Sequence, residues 1–288
     1  MSKNPKWTGI GSKFSHFTSV HPCFGVKAHY RVARIHLPVA PKCNIQCNYC
    51  KRDINKCEWR PGVASCITDV NEAINILEAE IKSNKDLKVV GIAGPGESLY
   101  NKETFEVLSI IKERWNWLIR CISTNGLLVE DKANELENLE IGTVTITINA
   151  IDPEVGAKIY EWVFYEGKIL RGIEASKLLI EKQLRGIEEL VKRGIVVRIN
   201  TVLIPEINSN EIENIARECR DRGASLMNII PLIPVYKFEN LRRPTCDELK
   251  KARDLAEKYL PQFRLCKQCR ADAIGIPGKE KISTYFHG

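Results

Sequence analysis

The 288-residue sequence predicts an α/β fold in which six parallel strands form an open barrel with helices around it. Short β-branched runs alternate with longer amphipathic segments, and strict alternation of this kind is typical of a parallel sheet covered by helices. A flat doubly wound sheet also satisfies the alternation. Residues capable of chemistry, however, follow the ends of several predicted strands around the sequence, as they do in TIM-like barrels. We therefore predict a partial (β/α)6 barrel.

The elements are predicted from hydrophobic period and β-branched content. The predicted strands lie at 34–40, 88–93, 118–123, 143–148, 196–203 and 226–230. The predicted helices lie at 68–82, 102–115, 131–139, 176–193, 209–222 and 245–259. An aromatic-rich segment, 152–172, is interpreted as a loop that serves as a lid or a docking surface. No repeat or Gly/Ser linker divides the chain, which predicts one core, 33–260, between an N-terminal extension, 1–32, and a C-terminal tail, 261–288.

The composition argues against membrane and nucleic-acid classes of protein. The formal net charge of +7 comes from 43 basic and 36 acidic residues that are dispersed along the chain. No basic run with interleaved aromatic residues is present, so nucleic-acid binding is not predicted. The sequence also lacks the roughly 18-residue apolar run of a membrane span and an apolar signal segment near its start. A cytoplasmic protein that does not contact a membrane is therefore expected.

Eleven cysteines is a high count for a chain of this length. The count is odd, no export signal is found, and several cysteines cluster at the spacing of metal ligands. Reduced thiols that bind metal therefore account for them better than disulfides do. Cys66, Cys219 and Cys246 have no such spacing, and we assign them to packing or to the surface.

The strongest motif is the triplet Cys43, Cys47 and Cys50, with the pattern C-x3-C-x-aromatic-C. Three thiolates can hold three irons of a four-iron cluster, which leaves the fourth iron open to a small molecule. A zinc site would instead need four closed ligands, commonly two C-x2-C pairs. The spacing resembles the signature of the radical S-adenosylmethionine (SAM) superfamily, whose fold is a partial (β/α)6 barrel. The resemblance implies that this cluster cleaves SAM to a 5′-deoxyadenosyl radical and that Tyr49 lies near the SAM adenine.

A glycine-rich turn follows the second predicted strand. Its residues Gly94, Pro95, Gly96 and Glu97 resemble the superfamily motif that binds the SAM ammonium group. Glycines allow close backbone approach, and the glutamate offers negative charge to a cation. Four further side chains at later strands are suited to a carboxylate or a ribose, namely Ser123, Asn125, Asn149 and Asn200. The first two are interpreted as SAM contacts, and the last two equally as SAM contacts or as caps of turns and helices.

The C-terminal tail contains a second group of candidate metal ligands. Cys266 and Cys269 form a C-x2-C pair, and no thioredoxin-like pattern surrounds it. The pair is therefore interpreted as half of a second metal site. Cys57, in the loop after the triplet, is a candidate third ligand.

A third, mixed site is predicted from the barrel itself. Inward side chains of the first and third strands approach one another in a barrel, which would bring His36 and Cys121 together with Cys23. The alternative is packing, because a single histidine or cysteine in a strand usually serves the core.

Longer stretches around these residues closely resemble the NifB family. The similarity spans about residues 21–278, and its most similar stretches are 21–23, 33–50, 60–63, 93–97 and 266–273. The resemblance implies an enzyme that builds the precursor of the nitrogenase active-site cofactor. In that reaction two four-iron clusters are fused with a SAM-derived carbide and an extra sulfur, giving an eight-iron, nine-sulfur, one-carbon product. One SAM supplies a methyl group, and the radical from a second SAM abstracts hydrogen from it.

The resemblance also implies how the ligands divide among the clusters. The triplet would hold the SAM-cleaving cluster, and two substrate clusters would be held by Cys23, His36 and Cys121 and by Cys57, Cys266 and Cys269. Glu58 would hold an iron transiently, since a carboxylate is a harder and more exchangeable ligand than a thiolate. Between Cys50 and Arg60 the spacing departs by one residue from the family pattern.

The family resemblance further implies partners. These are SAM, iron–sulfur cluster donor proteins, an electron donor such as a ferredoxin or flavodoxin, and a downstream carrier or scaffold protein for the product. No segment similar to the NifX-like extension of some family members is found, so a stand-alone form is expected. The sequence shows no strong interface pattern, so a monomer is expected. Two alternatives stay open: another radical SAM enzyme with an auxiliary cluster, and an iron–sulfur scaffold or carrier, which would not need a SAM pocket.

Overall fold

The computed structural model describes residue 17 and residues 19–280 of the chain. The outer parts of the two predicted extensions, 1–16 with residue 18 and 281–288, lie outside the described residues. The strands in chain order are β1 Ala33–His36, β2 Ile45–Cys47, β3 Asp53–Ile54, β4 Val63–Ala64, β5 Leu87–Ile92, β6 Ile119–Thr124, β7 Thr143–Thr147, β8 Tyr160–Tyr165, β9 Lys168–Leu170, β10 Val196–Leu203, β11 Leu226–Pro231 and β12 Ile274–Gly275. The helices are α1 Val26–His29, α2 Val70–Ser83, α3 Lys102–Arg114, α4 Val129–Asn138, α5 Pro153–Ile159, α6 Gly172–Lys192, α7 Pro205–Asn208, α8 Ile212–Asp221 and α9 Cys246–Ala256.

Seven strands form one curled, open sheet in the order β11-β10-β7-β6-β5-β1-β12. The first six in this order run parallel, and β12, from the C-terminal tail, pairs antiparallel with β1 at the edge. Helices connect successive parallel strands, and the six predicted helices correspond to α2, α3, α4, α6, α8 and α9. This open half-barrel confirms the predicted fold class. None of the helices in the described ranges is long and apolar enough to cross a membrane.

Alternation along the strands gives the sheet two different faces. One face packs against the helices and is apolar, with buried side chains such as Ile35, Val90, Ile122, Val144 and Ile199. The other face, which we call the polar face, carries groups of opposite parity, including Arg34, His36, Cys121, Thr145, Arg198 and Asn228. The candidate site lies on the polar face.

The segment 152–172 is not the loop that we expected. It forms α5 and a hairpin of β8 and β9, and β8 pairs with β2, so that Cys47 lies opposite Tyr160. The hairpin turn, Glu166-Gly167, has two successive positive φ angles, 47° and 76°, as a two-residue hairpin turn requires. The aromatic residues of this segment therefore belong to a strand that buttresses the cysteine loop.

The loop that leads into the triplet is fixed to the sheet through Lys42. Its carbonyl oxygen accepts from Glu97 N (2.8 Å) and from Asn101 Nδ2 (2.9 Å), and its N–H donates to Asn101 Oδ1 (3.2 Å). The approach is so close that a Cβ on Gly96 would lie 2.3 Å from the Lys42 oxygen. Gly96 is therefore needed for the contact between two backbones.

We expect Asn101→Ala to lower the free energy of unfolding by about 1–3 kcal/mol, because it removes the hydrogen bonds that the buried Asn101 amide makes to the main chain of Lys42 and to Glu97 O. Urea denaturation of the metal-free protein measures this change. Asn134→Ala is a matched control, since Asn134 is exposed on α4, and we expect its effect to stay within about 0.5 kcal/mol. Equal losses in the two variants would contradict this account of Lys42.

Candidate metal and ligand site

The cysteine triplet lies on and around β2: Cys43 precedes the strand, Cys47 is its last residue, and Cys50 lies in the turn that follows. The N–H of Cys50 donates to Cys47 O (3.0 Å). Gln46 donates from Nε2 to both Cys47 O (2.9 Å) and Cys50 O (2.8 Å), while its Oε1 accepts from Arg52 Nη2 (2.8 Å). These bonds close the chain into a compact turn, which places the second and third cysteines on the same side.

The three thiols share a buried environment in which their charges interact. Burial raises the pKa of Cys43 to about 12 and raises the pKa values of Cys47 and Cys50 as well. The charges of Cys50 and Cys43 add to the rise at Cys47. Thiolates this close together in a poorly solvated site are stable only beside cations, and bound iron supplies that charge. The donor set therefore fits an iron–sulfur cluster.

Glu97, predicted to face a ligand, is bonded within the protein. Its side chain is buried, Oε1 accepts from Leu99 N (3.0 Å) and from the Thr124 hydroxyl, and Oε2 accepts from Asn125 N (2.7 Å). Burial raises the pKa of this carboxyl, and the three donors oppose the rise. Glu97 thus joins the end of β5 to the end of β6. Its contact with a SAM ammonium group stays a prediction, as do those of Gly94 and Gly96.

Asn125 connects the end of β6 to the cysteine loop. Its Nδ2 donates to Asn44 Oδ1 (2.7 Å), inside the triplet. Asn44 is only 1% exposed, and its own Nδ2 has no hydrogen-bond partner among the described residues. Ser123, two residues earlier, lies half-buried on the polar face. A buried donor without a partner is suited to an acceptor on a bound molecule, such as a carboxylate or a ribose.

The two asparagines with open interpretations are both bonded within the protein. Asn149 is fully buried, donates from Nδ2 to the Tyr49 hydroxyl (2.8 Å), and accepts a main-chain N–H of β10 (2.9 Å). The Tyr49 hydroxyl also interacts with the Cys47 thiol. Asn200 Oδ1 accepts from Asn228 Nδ2 (2.9 Å), further along the polar face. Asn149 therefore positions the aromatic residue of the triplet.

His36 and Cys121 meet on the polar face across Gly91, which the sheet pairs with both. A Cβ on Gly91 would lie 2.8 Å from Cys121 Sγ and 3.2 Å from His36 Cδ2. His36 Nδ1 donates to Arg270 O (3.0 Å), and burial lowers the pKa of the imidazole to about 4. The ring is therefore neutral, and its Nε2 lone pair is left for a metal, as in many metal sites where a carbonyl orients the histidine.

Cys23 and Cys269 come to the same region from the two ends of the chain. Burial raises the pKa of Cys121 to about 12, and the charge of Cys23 adds to the rise. Burial likewise raises the pKa of Cys269 to about 12, with contributions from Cys266 and Cys23. Cys269 Sγ also accepts from Arg34 Nη2 (2.9 Å). The tail pair and the mixed group are therefore neighbours.

Cys57 and Glu58 lie in a loop that is more open than the rest. Cys57 is exposed, and its N–H donates to Asn55 Oδ1 (3.1 Å) within the loop. The Glu58 carboxylate accepts from Asn55 Nδ2 (2.9 Å) and from Arg60 Nη2 (2.9 Å), and these bonds lower its pKa. In the described ranges, no three His, Cys, Asp or Glu side chains converge on a single metal ion. In a cubane cluster each thiolate binds a different iron, so the protein ligands of a cluster do not converge on one ion.

Arg270 links this loop to the tail. Its guanidinium donates to Glu58 O and to Asn55 O (2.8 Å) and forms an ion pair with Asp272 (2.8 Å) in which both side chains are buried. Its carbonyl oxygen accepts the bond from His36 Nδ1. One residue therefore positions the loop of Cys57 and orients the imidazole of the mixed group.

Sequence analysis missed several residues that position the site, namely Gln46, Asn101, Arg34 and Arg270. Asn101 directly precedes α3, where an asparagine is typical of a helix N-cap, yet its side chain binds Lys42 and makes no cap bond. Arg270 directly follows Cys269 in the tail, and this position next to a candidate ligand is the sequence signal that could have indicated its role.

Comparison with known proteins supports the similarity seen in the motifs. The Radical SAM superfamily model matches residues 37–219. A protein of Methanocaldococcus jannaschii named "FeMo cofactor biosynthesis protein NifB" is 53% identical over 96% of this chain and 92% of its own length. Proteins with the same name from Chlorobaculum tepidum and Klebsiella pneumoniae are 41% and 40% identical. These two matches span 90% and 93% of this chain but only 62% and 59% of the two longer proteins.

Two solved structures share the fold at low sequence identity. Methylornithine synthase is 10% identical with a TM-score of 0.51, over 97% of this chain and 83% of that one. The structure described as native anSMEcpe with bound AdoMet is 16% identical with a TM-score of 0.50, over 69% of this chain and 51% of that one. At such identities the likeness concerns the fold alone.

We expect Arg270→Met to lower the free energy of unfolding by about 3–5 kcal/mol, because it leaves the Asp272 carboxylate buried without its cation. Arg264→Met is the control. Arg264 pairs with Asp254 and Glu257 in half-exposed positions, and we expect its loss to cost about 0–1 kcal/mol. Urea denaturation of the metal-free variants compares the two, and similar midpoints would show that Arg270 does not hold the tail.

Proposed function

Because the chain belongs to the NifB family, the radical SAM enzymes of FeMo cofactor biosynthesis, we propose that it fuses two [4Fe-4S] substrate clusters with a SAM-derived carbide and an extra sulfur. The product would be the [8Fe-9S-C] precursor of the nitrogenase cofactor. One SAM would donate its methyl group to a cluster sulfur and leave as S-adenosylhomocysteine. A second SAM would yield the 5′-deoxyadenosyl radical, which takes hydrogen from that methyl group and leaves as 5′-deoxyadenosine.

The observation that carries this proposal is the adjacency of two incomplete ligand groups. Cys23, His36 and Cys121 form one group, and Cys269 of the tail pair lies within electrostatic range of Cys23. Arg34, which donates to Cys269 Sγ, stands on β1 two residues from His36 and on the same face. A fusion reaction needs both substrates at one place, and two separate storage sites would not need to be neighbours.

The triplet would hold the resident cluster, which when bound supplies the electron that cleaves SAM. The protein's own groups near it are suited to binding the rest of SAM. The unpartnered Asn44 Nδ2 and the neighbouring Asn125 offer an amide donor beside the cysteines. Glu97 fixes Asn125 in place, and Asn149 donates to the Tyr49 hydroxyl, which also interacts with Cys47.

The substrate ligands suit clusters that must leave after reaction. Each group would offer three protein ligands. One group includes the His36 imidazole, whose pKa of about 4 keeps it neutral at neutral pH. Glu58, in the open loop, would serve as an exchangeable ligand, because carboxylates bind iron less durably than thiolates do. The reaction also needs donors of clusters and of electrons, the latter a ferredoxin or flavodoxin, and a carrier or scaffold to accept the product. We propose that the chain works as a monomer in the cytoplasm.

One experiment separates this function from its alternatives. The protein is reconstituted anaerobically with iron and sulfide and is then given SAM and dithionite. Formation of both 5′-deoxyadenosine and S-adenosylhomocysteine is expected for the proposed reaction. 5′-Deoxyadenosine alone would indicate another radical SAM enzyme with an auxiliary cluster. Neither product would indicate a scaffold or carrier, for which the glycine-rich turn and the Asn44 donor would have no use.

We expect Cys43→Ala to abolish formation of 5′-deoxyadenosine, because the resident cluster then loses one of its three thiolates. Chromatography of the anaerobic reaction mixture measures the product. Cys219→Ala is the matched control, since Cys219 is buried on α8 in the apolar core. If Cys43→Ala cleaves SAM as fast as Cys219→Ala, the triplet is not the cleaving site.

We expect His36→Ala to retain SAM cleavage but to lower the yield of the cofactor precursor, because His36 would hold a substrate cluster and not the resident one. The yield is measured by transfer of the product to cofactor-free nitrogenase. Iron content gives the second test. In a protein whose three triplet cysteines are replaced by alanine, His36→Ala should lower the bound iron, and unchanged iron would exclude His36 as a ligand.

A further inference from the structure

Two buried donors near Cys23 have no acceptor. His21 Nδ1 accepts from Cys23 N (3.1 Å), so the proton of this buried imidazole is on Nε2. Neither His21 Nε2 nor Arg198 Nε has a hydrogen-bond partner in the part of the chain that the structure describes. Both side chains lie against the Phe24 ring, whose centroid is 4.8 Å from that of His21 and 5.9 Å from Arg198 Cζ. Buried polar groups normally find partners, so these two orphaned donors point to an acceptor that binds there.

Arg198 is also unusual as a charge. It is 6% exposed, and its two bonds go to neutral oxygens, Cys23 O (3.2 Å) and Asn200 Oδ1 (3.4 Å). Within the described ranges it has no ion pair. The other buried arginines there each pair with a carboxylate, namely Arg34, Arg60, Arg120 and Arg270. The guanidinium lies over the Phe24 ring, 5.9 Å from its centroid, but no carboxylate offsets its charge among the described residues. A buried cation without an anionic partner destabilises a protein, so its presence on the polar face favours a ligand that carries negative charge.

We propose that Arg198 and His21 bind the substrate cluster held by Cys23, His36 and Cys121, through N–H···S hydrogen bonds to its sulfides. This inference rests on the proposed function. Cluster sulfides accept hydrogen bonds and do not donate them, which matches the two unpaired N–H groups, His21 Nε2 and Arg198 Nε. Each electron or sulfide added to the cluster makes it more negative, and the Arg198 guanidinium offsets that charge. Arg198 also donates a hydrogen bond to Cys23 O, so one side chain would contact both the segment that contains Cys23 and the substrate cluster.

The test uses the full chain with Cys43, Cys47 and Cys50 replaced by alanine, so that the spectra come from the substrate clusters alone. After anaerobic reconstitution with iron and sulfide, iron per chain and the midpoint potential from EPR-monitored titration are measured. We expect Arg198→Met to retain less iron after desalting and to shift the potential of the remaining cluster to more negative values. Arg198→Lys, which keeps the charge, should restore the potential toward that of the parent.

Two controls separate binding from structure. The metal-free Arg198→Met protein should unfold at no lower temperature than its parent, because an apolar side chain replaces an uncompensated charge. Arg120→Met removes a buried arginine that is bonded to Leu139 O (3.0 Å) and Glu140. It should lower the unfolding temperature and leave the potential unchanged. A loss of iron in Arg198→Met that is matched by a lower metal-free unfolding temperature would overturn the proposal, since a structural role would explain it.

The outcomes also distinguish this proposal from the one on which it rests. If Cys23→Ala loses iron while Arg198→Met keeps both its iron and its potential, only the role of Arg198 is wrong. If Cys23→Ala loses no iron, the ligand set of the proposed function is wrong, and the role of Arg198 is overturned with it.

Discussion

The carbonyl oxygen of Lys42 is the point at which the cysteine loop is held to the sheet. It accepts hydrogen bonds from Glu97 N and Asn101 Nδ2, and Gly96 allows the two backbones to come close enough for both. Glu97 extends the same contact to the end of β6 by accepting from Asn125 N. Hydrogen bonds therefore join the triplet, the glycine-rich turn and the end of β6, and the position of the three triplet thiols depends on these bonds.

The second constraint is electrostatic, and it acts on the buried thiols of the candidate site. Burial raises the pKa values of Cys43, Cys121 and Cys269 to about 12, so in the metal-free protein these thiols are protonated at neutral pH. Metal binding must then displace protons from them. His36 needs no such step, because its buried imidazole is already neutral. A thiol and a neutral imidazole side by side, as Cys121 and His36 are on the polar face, are suited to a cluster that is bound, altered and released.

Much of the fold and of the cysteine triplet could be predicted from the sequence, because both depend on local patterns. The alternation of strands and helices gave the open barrel, and cysteine spacing marked the triplet. The hairpin of β8 and β9 was wrongly expected to be a loop, although Glu166-Gly167 is a turn signal between β-rich runs. Glu97 shows the deeper limit. The sequence shows that Glu97 is charged but not which groups lie around it. In the structure its carboxylate accepts hydrogen bonds from groups of the same chain.

The contacts of Arg270 could not be predicted for a related reason, because they join parts of the chain that are far apart in sequence. The bond from His36 Nδ1 to Arg270 O spans 234 residues, and β12 reaches β1 from the same distant tail. A growing polypeptide therefore cannot orient His36 until residue 270 has left the ribosome. The orientation of this imidazole is therefore completed later in synthesis than the pairing of β2 with β8, which joins residues 45–47 to residues 160–163.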